Sequence, residues 1–281
     1  QIIDVSSWSR GPLETRGLRA KQWIVDPGGT FWLRKSHRDR SPSEPAIECL
    51  ALRLARASGL DAAEAYPCTW NEKGVEHRGM VVRKFLSPME ELHSGSQLLG
   101  GLDPLYDPTA HPQHTVERAL AALHSVEKEP GALTEPFLRM LAFDTFIGNG
   151  DRHQDNWSVI RSSDAAPRLA PMYDPAGCLG AELQPNHPLV AGIPTRDDVA
   201  QYAANCPSGF GDGTRMVRLS EVGAALEGEP GWSSALTTVR DGVRQAIAGL
   251  PSYLEAVPDD WYPLGLRALG AMLLEHRLND S

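Results

Sequence analysis

The feature that most restricts the fold is a change of hydrophobic period near residue 87. Before it, apolar residues come in short β-rich runs bounded by turn residues; after it, they recur at helical spacing. KQWIV (21–25) and TFWLRK (30–35) flank an Asp-Pro-Gly-Gly turn and predict a hairpin. EAYPCTW, the turn NEKG and HRGMVVRKFL predict a second. One helix is expected between them, with Ser43 as its cap, Pro45 in its first turn and Gly59 at its end. Ile47, Leu50, Ala51 and Leu54 fall on one face of that helix. Trp23, Phe31 and Trp32 read as core of the small sheet.

Beyond Ser87, residues 114–128 carry Val116, Ala119, Leu120 and Leu123 at helical spacing. Residues 134–147 start at Thr134 and bury Leu138, Leu141, Ala142 and Thr145. WSVI and RLAPMY predict two short strands joined by RSSDAAP. Residues 181–215, rich in Gly, Pro, Asn and Asp, predict a long irregular loop, and 216–226, 234–249 and 262–277 predict helices. The fold class is therefore α+β and bilobal: a β-rich lobe with one helix over residues 1–86, then a larger helical lobe over 87–281.

Composition narrows the function classes. A net charge of −9 argues against nonspecific nucleic-acid binding and against an anionic membrane surface. No run approaches a spanning length, and no signal-peptide pattern opens the chain, whose Gln1 in place of Met suggests trimming or an artificial boundary. Cys49, Cys68, Cys178 and Cys206 are scattered without a CxxC pair, so reduced thiols and a cytoplasmic location are expected. His111 and His114 in HPQH are separated by Pro112, which disfavours the helix a paired metal site would need.

The stretch FIGNGDRHQDNWSVI (146–160) carries the chemistry. An apolar helix end runs into Gly148-Asn149-Gly150, then a dense polar cluster, then strand residues. Asp151 and Asn156 stand five apart, the D-x-x-x-x-N spacing in which Asp orients an attacking hydroxyl and Asn binds magnesium. Beyond the predicted hairpin, PMYD delivers Asp174, a further hard oxygen ligand. Lys35 ends the strand TFWLRK, where a phosphate-binding lysine belongs, and Glu48 on the next helix can face inward to pair with it, with Glu44 as its rival. Gly11 and Gly17 in RGPLETRG could form a phosphate-covering loop, although the pattern is not GxGxxG.

FIGNGDRHQDNWSVI followed by RLAPMYD resembles the HipA-like serine/threonine kinases of bacterial toxin–antitoxin systems, over roughly residues 20–180. The strand lysine and the helix ending in LARASGL fit that family too. The resemblance implies a protein-kinase-like fold, with ATP and Mg²⁺ as cofactors. It implies Asp151 as catalytic residue, Asn156 and Asp174 as metal ligands and Lys35 as phosphate lysine. MVVRKFL (80–86), with Val82, Arg83, Lys84 and Phe85, would be the hinge that meets adenine through its backbone. No counterpart of the additional N-terminal domain of full-length HipA toxins is read in these residues, so an antitoxin partner is not expected from the resemblance. Ser36, Ser41 and Ser43 lie where an inhibitory phosphosite could fall. GDRHQDN is equally similar to the Asp-Arg-His motif of phosphoinositide 3/4-kinases, in which the histidine is a candidate base, so His153 stands beside Asp151 for that role.

The leading expectation is a kinase acting on a protein serine or threonine. The alternatives are a kinase for a small-molecule hydroxyl, such as an antibiotic or metabolite, and a nucleotide-binding pseudokinase acting as an interaction module. Retention of every charged role argues against the pseudokinase. Lipid phosphorylation is disfavoured by the acidic balance and the lack of a basic amphipathic segment.

Overall fold

A computed structural model describes residues 2–14, 21–38, 40–250, 253 and 257–279. The amino-terminal part forms one six-stranded sheet. Its strands are β1 (Ile3–Asp4), β2 (Ser9–Glu14), β3 (Lys21–Val25), β4 (Phe31–Ser36), β5 (Ala65–Glu72) and β6 (Val75–Arg83), in the order β1-β5-β6-β4-β3-β2. Both expected hairpins form. The second closes on Lys73 and Gly74, both left-handed (φ 54° and 82°), the turn geometry whose twist matches that of the strands. Gly11 lies within β2 and not in a loop, and Gly17 falls outside the described residues.

Strand alternation gives the sheet two different faces. The outer one holds a small cluster of Val5, Ile24, Trp32, Cys68, Trp70 and Val81. Trp32 is thus core as expected, whereas Phe31 points the other way and is 44% exposed. The inner face presents Lys35 beside Met80 and receives α1 (Glu44–Ala57). The expected Ser43 cap is not made: the residue is itself helical (φ −82°, ψ −13°), and its hydroxyl makes no capping bond. Pro45 does sit in the first turn, and Gly59 follows the last one at φ +84°.

The remainder is mostly helical. β7 (Glu90–Ser94) leads into α2 (Gly95–Leu102), followed by a 3-10 turn (His111–Gln113), α3 (Val116–His124) and α4 (Thr134–Ile147). β8 (Ser158–Ser162) and β9 (Arg168–Leu169) are the two short strands expected, but β7 joins them in a three-stranded sheet. The stretch 181–215 is not irregular. It holds α5 (Pro188–Ala191), α6 (Arg196–Asn205) and β10 (Pro207–Gly211), and β10 pairs with β11 (Met216–Arg218). Only Val199 of α6 is buried, so the helix has almost no apolar stripe to read, and β10 is PSGFG, a turn-like composition held extended by what it packs on. α7 (Leu219–Leu226), α8 (Trp232–Ile247) and α9 (Leu264–Asn279) complete the fold. Among the described residues no helix is long and apolar enough to cross a membrane.

One apolar cluster runs from Met80 and Val82 through α1 to α3, α4, α8 and α9. α1 is therefore clamped between the sheet and α8, which explains why its burial extends well beyond a single face. The contact with α8 is close. A Cβ on Gly242 would stand 2.4 Å from the Ser58 carbonyl oxygen at the end of α1. Gly→Ala inside a helix ordinarily stabilises by about 1 kcal/mol. At Gly242 the sign reverses, because overpacking costs about 1–3 kcal/mol. Gly242→Ala should lower the urea midpoint, and an unchanged or raised midpoint would show that the clamp yields.

Candidate active site

The polar cluster after α4 is organised by one buried cation. Arg152 and Asp144, each 1% exposed, form a two-pronged pair: Nε donates to Oδ2 at 2.7 Å and an Nη to Oδ1 at 3.0 Å. The other Nη donates to the carbonyls of Asn156 (2.5 Å) and Tyr173 (3.0 Å). Burial pushes the Arg152 pKa down and Asp144 pushes it up, with a net upward direction. Asp144 also accepts from the Asn149 amide at 2.7 Å, and Asn149 Oδ1 accepts the Asp151 N–H at 3.2 Å. The loop is thus shaped from α4 outward, and Gly148 in the left-handed region (φ 64°) releases it from the helix.

Asp151 projects from this loop with its side chain 47% exposed. Burial raises its pKa, His153 opposes that, and Asp174 adds to the rise. His153 Nε2 stands 4.0 Å from Asp151 Oδ1, while its Nδ1 accepts the Asp155 N–H at 3.2 Å. Asn156 donates its side-chain amide to the Asp151 carbonyl at 2.6 Å. On its other flank the loop is held by the start of α2: the Gly95 N–H donates to the Trp157 carbonyl and the Ser96 N–H to that of Gln154.

Asp174 arrives from β9 across the cleft. Met172 pairs with Ala62 in a parallel bridge, which ties this segment to the loop after α1. Asp174 itself is left-handed (φ 53°), a conformation uncommon outside glycine that often marks a functional position. Its Oδ1 lies 3.1 Å from Lys35 Nζ, and that ammonium also donates to Glu48 Oε1 at 2.7 Å. Glu48 is wholly buried. Its rival Glu44 instead pairs with Arg38 at 3.1 Å.

At the end of β6, a central strand of the sheet, Val82 is buried, whereas Arg83 and Lys84 turn their side chains outward. Their N–H groups are used inside the fold, Arg83's by Glu64 and Lys84's by Phe31. Phe85 stacks on Tyr173, the neighbour of Asp174, at 6.0 Å between centroids. The structure thus places Lys35, Glu48 and Asp174 in direct contact, Asp151, His153 and Asn156 on one loop, and Val82–Phe85 at the end of the central strand β6.

Three contributors escaped sequence reasoning. Lys21 is the cross-strand partner of Lys35 and reaches Asp174 Oδ2 at 3.8 Å, which only the strand register reveals. Asp144 left a readable trace: it is an acid within the apolar run MLAFDTFI. Arg152, inside the polar run that follows Gly150, is the buried counter-ion of Asp144. Breaking its pair leaves an uncompensated buried charge, which costs about 3–5 kcal/mol. Asp144→Ala should lower unfolding stability by about that amount in a denaturant titration. A loss below about 1 kcal/mol would mean that the pair is not the frame of the loop.

The sequence model of the HipA-like C-terminal domain matches residues 13–199. The kinase-named protein Y4dM of Sinorhizobium fredii is 26% identical over 161 residues, covering 52% of this chain and 37% of that protein, so the chain spans well under half of this relative. The serine/threonine-protein kinase CtkA of Helicobacter pylori is 40% identical over 52 residues, 18% of this chain and 16% of that one. The crystal structure of the Helicobacter pylori proinflammatory kinase CtkA superposes with a TM-score of 0.81 at 17% identity, covering 99% of this chain and 94% of that chain. The fold is therefore the α+β, bilobal protein-kinase-like one expected from the sequence. With two thirds of its length matched, the chain belongs to the HipA-like C-terminal domain family.

Proposed function

We propose that this protein is an ATP- and magnesium-dependent kinase that transfers the γ-phosphoryl group to a serine or threonine hydroxyl of a protein. The nucleotide-binding lobe spans residues 1–86 and the catalytic lobe 87–281. The observation that carries the reading is the convergence of Lys35, Glu48 and Asp174 on one ion-paired cluster, facing a loop that presents Asp151 and Asn156. Likeness to proteins named as kinases, one of them a serine/threonine-protein kinase, supports the class of acceptor.

The donor set fits magnesium. Asn156, whose amide nitrogen is spent on the Asp151 carbonyl, has Oδ1 left to offer, and Asp174 supplies a carboxylate that already attracts two ammonium groups. Among the described residues no group of three or more His, Cys, Asp or Glu side chains converges as a metal cage. That matches an ion that takes one or two protein oxygens and completes its shell with phosphates and water. When bound there, magnesium supplies charge neutralisation at the phosphoryl oxygens.

The chain's own groups do the rest. Lys35, oriented by Glu48, and Lys21 beside it hold phosphate oxygens. The hinge after β6 takes adenine through backbone groups other than the Arg83 and Lys84 N–H, which are spent on the Glu64 and Phe31 carbonyls. Asp151 orients the acceptor hydroxyl for in-line attack and receives its proton. His153 is a poor candidate for that base, because its Nδ1 is already taken up as acceptor of the Asp155 N–H. Its role is to support the Asp151 charge. Most of the acceleration comes from positioning and electrostatics.

The test is transfer of label from γ-labelled ATP, followed separately in protein and small-molecule fractions of a bacterial lysate. Asp151→Ala should reduce transfer by roughly 10²–10⁴-fold without weakening nucleotide binding, and chelation of magnesium should stop it. Label found only in small molecules would reassign the acceptor. Undiminished turnover by Asp151→Ala would remove Asp151 from the reaction.

A further inference from the structure

His114 lies wholly buried between the 3-10 turn and α3, outside the cleft, yet both ring nitrogens are engaged. Nδ1 is 2.8 Å from the Gly209 carbonyl oxygen and must carry the proton, since a carbonyl can only accept. Nε2 is then free to accept the indole N–H of Trp157 at 3.1 Å. The ring stacks on Phe210 at 4.3 Å and on Trp157 at 6.2 Å between centroids. Burial keeps it neutral, its pKa pushed down to about 4; the Gly209 carbonyl acts in the opposite sense, and His153 and His111 add to the lowering.

Both partners of this ring touch the catalytic loop. Trp157 directly follows Asn156. Gly209 presses on the loop so closely that a Cβ there would stand 2.2 Å from the Arg152 carbonyl carbon and 2.5 Å from the His153 nitrogen. We propose that His114 is a positioning residue: its neutral imidazole ties Trp157, at the exit of the loop, to Gly209 of β10, behind it. It thereby sets where Asp151 and Asn156 stand without touching either. This rests on the kinase reading for its catalytic consequence, but the tie itself is a property of the fold.

A core histidine with only a packing role could be exchanged for phenylalanine at a cost in stability alone. Here the exchange keeps the stack but leaves a buried carbonyl and a buried indole N–H unpaired, and both can be relieved only by shifting β10 or the loop. His114→Phe should therefore speed hydrogen exchange at the His153 and Asn156 amides, which close the loop's internal turns, while the α8 and α9 amides stay protected. Per folded molecule, kcat should fall by roughly 10- to 100-fold. KM for ATP should change less than kcat, because Lys35 and the end of β6 are untouched while only the Asn156 side of the nucleotide site moves. His114→Gln should recover part of kcat by offering Trp157 an acceptor, and Trp157→Phe should reproduce the kcat loss and carry the test if His114→Phe fails to fold. Wild-type kcat and loop exchange in folded His114→Phe or in Trp157→Phe would overturn the proposal. So would a uniform rise in exchange with kcat per folded molecule intact. If the wild type shows no Asp151-dependent transfer while loop exchange still responds to His114→Phe, the kinase reading falls and the tie stands.

Discussion

A guanidinium cannot be buried alone. Placing Arg152 in the interior would cost several kcal/mol if nothing met its charge, so the surrounding chain has to come to it. Asp144 supplies the counter-charge, and the carbonyls of Asn156 and Tyr173 use the remaining donors. Those two carbonyls belong to the segments that carry the loop asparagine and Asp174. Satisfying one buried cation therefore brings together the end of α4, the loop and the approach to Asp174. The planar fork of Arg suits this convergence, whereas a Lys ammonium could not span the same partners.

The cleft carries a second charge arrangement with a different logic. Lys35 is nearly buried between Glu48 and Asp174, and Lys21 approaches Asp174 from the neighbouring strand. Glu48 is inaccessible and α1 is wedged against α8, so Glu48 is a fixed partner of Lys35. Asp174 is the more exposed carboxylate and sits on strained backbone, which suits it to exchange its ammonium partners for a metal ion in the proposed reaction. One helix held from two sides thus keeps one acid permanently at its post, while the other remains available.

How much of this was legible depended on the range of the interaction. The strand–turn–strand units, the helix 134–147 and the glycine exit after it follow from local pattern and local turn chemistry, and they stand where the sequence placed them. The spacing of Asp151 and Asn156 is local too, because one loop carries both. The region 181–215 failed for the same reason in reverse. α6 and β10 have weak intrinsic signals and take their shape from contact with distant parts of the chain, β10 from the loop that carries Asp151. His114 looked unpromising in the sequence as half of an HPQH pair; its partners are 43 and 95 residues away.

What the sequence alone determined was therefore the set of parts: two hairpins and a helix, a helical remainder, and a polar loop of kinase spacing with a lysine and acids in the expected order. What only the tertiary structure decided was which charges meet. That Glu48 and not Glu44 takes Lys35, that Lys21 joins it, and that Arg152 turns inward to Asp144 all depend on strand register and on the packing of α1 and α4. The physical reason is that secondary structure arises from interactions between residues close in the chain, whereas the pairing of buried charges depends on desolvation, which exists only once the core has closed around them.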